Sequence, residues 1–409
     1  MNPLLKDITV LDLSRLLPGP FCSLYLAQLG ADVIKIEEPD GGDYTRALSP
    51  YLFDIVNRGK RSMTLDLRDP ADAERLKAMV EDADVLLESF RPGVMDKFGC
   101  GYEDLKAINP RLVYASLTGY GQTGPYRDRP GHDLNYCGYA GVLDQTGLPG
   151  KRPAMSNVQI ADLAGGAQTC AIGILAAVHG ARQSGEGCWV DVGMLDGALA
   201  LQSMALATQH QHGETLPRGK DMLTGALVNY NVYRCRDGKY LAVGALEPKF
   251  FIAMLKEITP AFLWRKPKQR NKQAQQDGAD SATTSHASTP QKQDPMAKLA
   301  SNPKRLRRLM LPLRWMMQAV LITRPRDYWD ARLADKDTCV SAVLTLEEAL
   351  ANEQVRARGL VEEGAHGPVL RSPIRFVNAS TQSGQAPTLG EHNPAEPPPD
   401  LSLDERQRA

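Results

Sequence analysis

Two apolar rhythms alternate through the first 120 residues of the chain. The runs ITVLDLS (8–14), DVIKIE (32–37), SMTLDL (62–67), DVLLES (84–89) and LVYASLTG (112–119) are short and rich in aliphatic and β-branched residues. That texture predicts strands buried in a sheet. Between them, PGPFCSLYLAQLG reads as a helix with Pro20 near its start and Gly30 at its end, and a second helix is expected from Pro70 with Asp69 as its cap. Strand and helix repeating with short connections predict an α/β domain, a Rossmann-like parallel sheet with helices on both faces. In such sheets ligands collect beyond the carboxyl ends of the strands, where the loops SRLLPGP and ESFRPGV lie.

Further along, residues 160–183 predict a long helix, CWVDVGM a strand, and LDGALALQSMALATQ another helix. The texture changes around 224–244 to the short strands NVYRCRD and GKYLAVG about Asp237-Gly238, which predicts a hairpin and a smaller α+β domain. The expected division is a large domain over 1–215, completed by about 325–380, and a small domain over 216–324. Residues 265–303 are poor in apolar positions and expected to be disordered; 303–322 read as an amphipathic packing helix, and 385–409 as a flexible tail. One tempting motif is set aside. GYGQTG (119–124) satisfies the dinucleotide fingerprint G-x-G-x-x-G, but PYRDRPG follows it where a helix would have to begin.

The global charge balance, 48 basic against 48 acidic residues, points to neither nucleic acid nor an anionic membrane, and neither is expected as a partner. The balance is uneven along the chain: residues 264–308 hold eleven Lys/Arg and three Asp/Glu, so the remainder is mildly acidic. Seven scattered cysteines with no C-x-x-C pair argue against a disulfide scaffold and a zinc site, and no metal is expected. The first residues, MNPLLKDITVLDLS, carry no secretory pattern, so the expected location is cytoplasmic.

Three residues stand out for chemistry. His132, in PGHDLNYCGYAG, lies at a loop-to-helix transition where backbone N–H groups can hold developing negative charge; a satisfied structural histidine is the alternative. Asp162 has a similar address early in the long helix, followed by Ala-Gly-Gly, small residues that permit close approach to the backbone; it is equally readable as a residue favouring a helix N-terminus. Glu247 sits after the strand YLAVGA and before Pro248, where an exposed carboxylate of no special role is the default.

The segments GHDLNY, ADLAGG, GEGCWVDVGMLDG, RGKDML and VGALEPKF, in this order, resemble the class III CoA-transferase superfamily and within it the α-methylacyl-CoA racemases. The resemblance covers residues 5 to about 262 and resumes near 324–378. It implies that His132 and Asp162 are two acid/base groups and that Glu247 pairs with the histidine. It further implies an interlocked homodimer acting on an acyl-CoA substrate, with no cofactor beyond the CoA that the substrate carries. The CoA contacts it implies are Arg58, Gly59, Lys60, Arg61, Arg91 and the Gly131–Tyr136 segment with Asp133 and Asn135. Where family members carry an arginine before the proline of the segment matching IEEP, this chain has Glu38, and Lys35 or Arg15 is the expected substitute. DMLTGALVNY, with Thr224, Ala226 and Val228, also departs from the racemase pattern, so acyl preference is expected to differ. The rival functions are a CoA-transferase using Asp162 as nucleophile and a non-catalytic acyl-CoA-binding protein.

Overall fold

A computed structural model describes residues 3–264 and 303–394. The expected disorder of 265–303 thus falls almost wholly, and the tail beyond 394 entirely, outside the described residues. The chain divides into two compact units, Met1–Thr146 with Ala154–Ser203 and Glu348–Ala409, and Gly147–Pro153 with Met204–Glu347.

The larger unit is built on a six-stranded sheet, β1 (Thr9–Asp12), β2 (Asp32–Glu37), β3 (Arg61–Thr64), β4 (Val85–Glu88), β5 (Val113–Thr118) and β6 (Trp189–Gly193), in the order β3-β2-β1-β4-β5-β6. Every pairing is parallel, with Val10 opposite both Val33 and Val85. This is the doubly wound dinucleotide-fold order, with its reversal at β1 and β4. Both faces are covered, which is why successive strand residues are apolar instead of alternating: Val10, Val33, Val85, Val113 and Ala115 serve one core, and Leu11, Ile34, Leu86 and Tyr114 the other. Pro18 opens the first helix and Asp69 caps the helix Pro70–Val80, accepting from the Ala71 N–H at 2.9 Å. GYGQTG is a loop; the next helix starts only at Asp133, so the fingerprint lacks the helix terminus it would need.

The smaller unit is α+β. Its antiparallel sheet, β7 (Tyr230–Arg234), β8 (Tyr240–Gly244) and β9 (Val340–Ala342), turns at Gly238 with φ +82°. Helices Pro248–Ile258, Pro303–Leu321 and Arg326–Ala334 complete its core through Met254, Ile258, Met317, Leu321, Trp329 and Leu333. The units meet at Ser203 and Glu348 rather than at the expected 215 and 325. The reason lies in packing: Trp329 and Leu333 belong to the small core, and β9 pairs with β8. A hairpin of the larger unit, β10 (Val361–Gly364) and β11 (Gly367–Leu370), has no counterpart in the sequence reading.

The helical stretch Ala161–Ser184 is apolar and long enough to cross a membrane by length and composition alone. Its Cys170, Ile174 and Val178 are buried in the core of the larger unit.

Candidate active site

The connection from β5 to β6 carries the two candidate acid/base groups, and it leaves the sheet at the carboxyl end of β5. His132 has extended backbone (φ −133°, ψ 174°) at the N-cap of the helix Asp133–Tyr139. Its N–H donates to Asn135 Oδ1 at 3.1 Å, while its carbonyl accepts from the N–H groups of Asn135 (2.8 Å) and Tyr136 (3.2 Å). Asn135 therefore closes a local cap, and its side-chain oxygen is occupied there rather than offered to CoA. The cap fixes the backbone of His132, and no hydrogen bond holds the exposed imidazole among the described residues.

Asp162 lies in the first turn of a π-helix, Ala161–Gln168, which continues as the α-helix Thr169–Ser184. Widened turns of this kind recur at functional sites. The glycines after Asp162 serve packing. A Cβ on Gly165 would sit 2.7 Å from the Ala198 nitrogen, and one on Gly197 1.9 Å from the Gly165 oxygen, so the close approach expected here is that of the helix Met194–Ala200.

Asp133 binds the two segments together. Its Oδ1 accepts from the N–H groups of Ala161 (2.7 Å) and Asp162 (3.1 Å), and Cys137 Sγ lies 3.7 Å from its Oδ2. This carboxylate caps the π-helix. Asp162 is mostly buried, and that burial, reinforced by the neighbouring Asp133 charge, pushes its carboxyl up from 3.8 to about 7. Both candidates line one cavity of about 310 Å³, with Leu143, Met155 and Ile160 among its apolar walls. A carboxyl group poised near neutral pH on the same cavity as an imidazole, with the N–H groups that open a helix at Asp133 and Leu134, is equipped to move a proton on a bound carbonyl compound.

Glu247 lies in the other unit, exposed, as N-cap residue of the helix Pro248–Ile258; its carbonyl accepts from the N–H groups of Phe250 and Phe251.

Several of the cations expected to meet phosphate have other partners. Lys60 is buried, its Nζ bonded to Asp12 Oδ2 (3.2 Å), Ser23 Oγ (2.7 Å), Asn57 Oδ1 (2.8 Å) and the Pro20 carbonyl (2.9 Å). Burial lowers its pKa to about 8 against the raising influence of Asp12. Lys35 is likewise buried and paired with Asp43 at 3.0 Å. Arg58 bonds Glu362 and the Leu370 carbonyl, and its buried Nε has no hydrogen-bond partner among the described residues. Gly59 adopts φ +74° and bonds the Gln385 carbonyl; Arg61 pairs with Asp32 at the surface. The run RGKR is thus mainly a structural knot. Gly131 packs under Tyr136, whose hydroxyl donates to the Gly131 carbonyl at 2.5 Å.

Arg91 remains exposed on a small cavity beside Glu88 and Trp189. Arg15 lines a second cavity of about 310 Å³ off the ends of β1, β2 and β3, its guanidinium over the rings of Phe90 (5.0 Å) and Tyr44 (5.3 Å). Arg68 stands on the same cavity, paired with Glu38 and Asp66. The sequence reading missed Arg68; an arginine four residues past the end of β3, facing the anomalous Glu38, was the available signal.

The family model for CoA-transferase family III matches residues 5–303 and 287–393. Human α-methylacyl-CoA racemase is 41% identical over 254 residues, 62% of this chain and 64% of that protein, and the mouse racemase 32% identical over 95% of this chain and 91% of its own length. Acetyl-CoA:oxalate CoA-transferase of Acetobacter aceti is 44% identical over 49% of this chain and 53% of its own. Among solved structures, a CAIB/BAIF family protein from Brucella suis superimposes with a TM-score of 0.77 at 28% identity, covering 96% of this chain and 98% of that one. The match in sequence runs through both units and the match in fold through nearly the whole chain, and the racemases and the transferase are named as enzymes; this chain belongs to CoA-transferase family III.

Proposed function

We propose that this protein inverts the α-carbon of 2-methylacyl-CoA thioesters by two-base proton transfer. The observation that carries the reading is that His132 and Asp162 line one cavity, with the Asp162 carboxyl at about 7. Inversion removes the α-proton from one face and returns a proton to the other, so two groups must flank one carbon, each able to hold or release a proton near neutrality. The His132 imidazole takes the proton on its side and protonated Asp162 delivers one on the other; the roles exchange for the opposite enantiomer. The thioester oxygen, enolate-like between the two transfers, is stabilised by N–H groups of the first turn at Asp133 and Leu134. Leu143, Met155 and Ile160 offer the acyl chain an apolar wall.

In this reading Glu247 of the partner subunit orients and stabilises the imidazolium within a homodimer. Arg15 and Arg91 meet the CoA phosphates, and no metal or redox cofactor takes part. The protein acts in the cytoplasm, in fatty-acid and lipid metabolism.

A transferase reading has support in the Acetobacter aceti relative and would make Asp162 a nucleophile forming an acyl anhydride. A nucleophile works in its ionised form alone, whereas a carboxyl at about 7 is divided between both forms near neutrality, which suits a group that must both give and take a proton.

Proton NMR of a 2-methylacyl-CoA in deuterated water tests the proposal. The expected result is loss of the α-proton signal with formation of both epimers. An unchanged spectrum alongside demonstrated binding would overturn it and direct attention to transfer onto acceptor acids.

A further inference from the structure

We propose that Asp133 is a positioning residue: its carboxylate ties the start of the π-helix to the residue next to His132, fixing the separation of the two acid/base groups and setting a like charge beside Asp162. The inference deepens the proposed racemase reading and rests on it for its catalytic meaning. Its geometry stands independently of that reading.

A helix cap needs one acceptor for one N–H. Asp133 Oδ1 accepts from two consecutive N–H groups, 28 and 29 residues away, one of them belonging to the candidate acid itself. Because His132 and Asp133 are neighbours, the dipeptide holds the base on one side and the clamp for the acid on the other. No basic side chain forms an ion pair with Asp133 among the described residues, so only N–H donors and the Cys137 thiol offset its charge, and its field reaches Asp162.

Other groups near Asp162 do not account for that field. From the helix Asp133–Tyr139, Tyr136 and Cys137 face Asp162; both are raised first by burial, and so are neutral at neutral pH. His132 stands on the same cavity. The helix Met194–Ala200, packed closely on the π-helix, brings Asp196, which is raised by burial and then by Asp191 of β6. The helix Pro18–Gln28 and strand β5, packed on it as well, carry no charged residue, only Cys22, Tyr25 and Tyr114. Burial and Asp133 are what raise Asp162.

Two variants separate the clamp from the charge. Asp133→Asn keeps an oxygen to accept both N–H groups but removes the charge; Asp133→Ala removes both. The ionisation of Asp162 is read directly, by carbon-13 NMR of labelled aspartate carboxyls with Asp162→Asn for assignment, and α-proton exchange is followed against pH in parallel. In Asp133→Asn the Asp162 carboxyl should become about tenfold more acidic, a fall of about one pH unit. The limb of the exchange profile governed by Asp162 should move with it. In Asp133→Ala exchange should fall about 100-fold through misplacement of the acid, and Asp133→Asn should restore most of that below the new pKa.

An Asp162 titration unmoved in Asp133→Asn would overturn the proposal, as would an Asp133→Ala protein exchanging as well as Asp133→Asn. A moved titration in a protein that never exchanges the α-proton would leave the positioning role standing and sink the racemase reading instead. Should Asp133→Ala fail to fold, the titration in Asp133→Asn decides alone.

Discussion

Asp12 and Asp162 are carboxylates of the same unit, and the fold drives them in opposite directions. Asp12, at the end of β1, is fully buried; burial pushes it up, but Lys60, Lys35 and the hydroxyls of Ser14 and Ser23 outweigh that and hold it at about 2. Asp162 is less buried, has no cation beside it, and lies next to a second aspartate, so it rises to about 7. The lesson is that burial alone does not make a reactive carboxyl. Complete pairing turns a buried charge into architecture, and incomplete pairing leaves a group able to exchange a proton in the working pH range. The same contrast separates the basic residues, with Lys60 and Lys35 enclosed by acceptors while Arg15 and Arg91 line cavities.

The sharpest way to test which of the two environments does chemistry is to remove the incompletely paired groups. His132→Ala and Asp162→Asn should each slow α-proton exchange by about 10²- to 10⁴-fold, the usual scale for losing one acid/base group. Both losses are required. A His132→Ala protein that keeps its activity while Asp162→Asn is dead, with an adduct trapped by hydroxylamine, would reassign Asp162 as a transferase nucleophile.

The opposite environment should fail in the opposite manner. Lys60→Met leaves Asp12 buried with a weakened set of partners, and stability should fall by about 3–5 kcal/mol, the cost of breaking one side of a buried pair. Denaturant melts measure this. Asp12, with its pKa depressed from 3.8 to about 2, contributes stability above pH 4 that is lost as pH falls through 2, and the variant should show a shallower loss. If Lys60→Met melts like the parent but binds CoA poorly, the lysine is a phosphate ligand after all and the contrast collapses.

These environments were legible in the sequence to unequal degrees. Strand DVIKIE matches β2 residue for residue, its Val33, Ile34 and Ile36 marking a buried strand even though Lys35 and Glu37 are buried with them. The addresses of His132 and Asp162, loop to helix and helix start, could also be read from local signals. The partners of Lys60 could not: Asp12, Ser23 and Asn57 come from a strand, a helix and a helix end, up to 48 residues apart, and a basic run looks the same whether it faces solvent or closes a core. For Asp133 the difficulty was similar, since its two bonds span 28 and 29 residues. The Gly165-Gly166 pair signalled close approach correctly but not what approaches. The hairpin β10–β11 escaped because four-residue strands around Ala-His give periodicity too little length to register.

The smallest effect sharpens the contrast in stability rather than in rate. Asp162 binds its proton more tightly folded than unfolded, since its pKa is raised from 3.8 to about 7. Below pH 3.8 the group is neutral in both states and carries no penalty. As pH rises from there to 7, the unfolded chain ionises first, and the folded protein is progressively disfavoured until its own carboxyl ionises. Asparagine never ionises, so Asp162→Asn should gain on the parent across that interval and hold its advantage above it. Thermal melts at pH 5 and pH 8 should show the difference in Tm between variant and parent widening by about 2 °C. Lys60→Met, acting on a carboxyl displaced the other way, should differ from its parent at neutral pH and converge on it in acid. Parallel melting curves for Asp162→Asn and its parent would mean that Asp162 is ionised in the fold much as it is in water, and the difference between the two aspartates would then rest on the pairing of Asp12 alone.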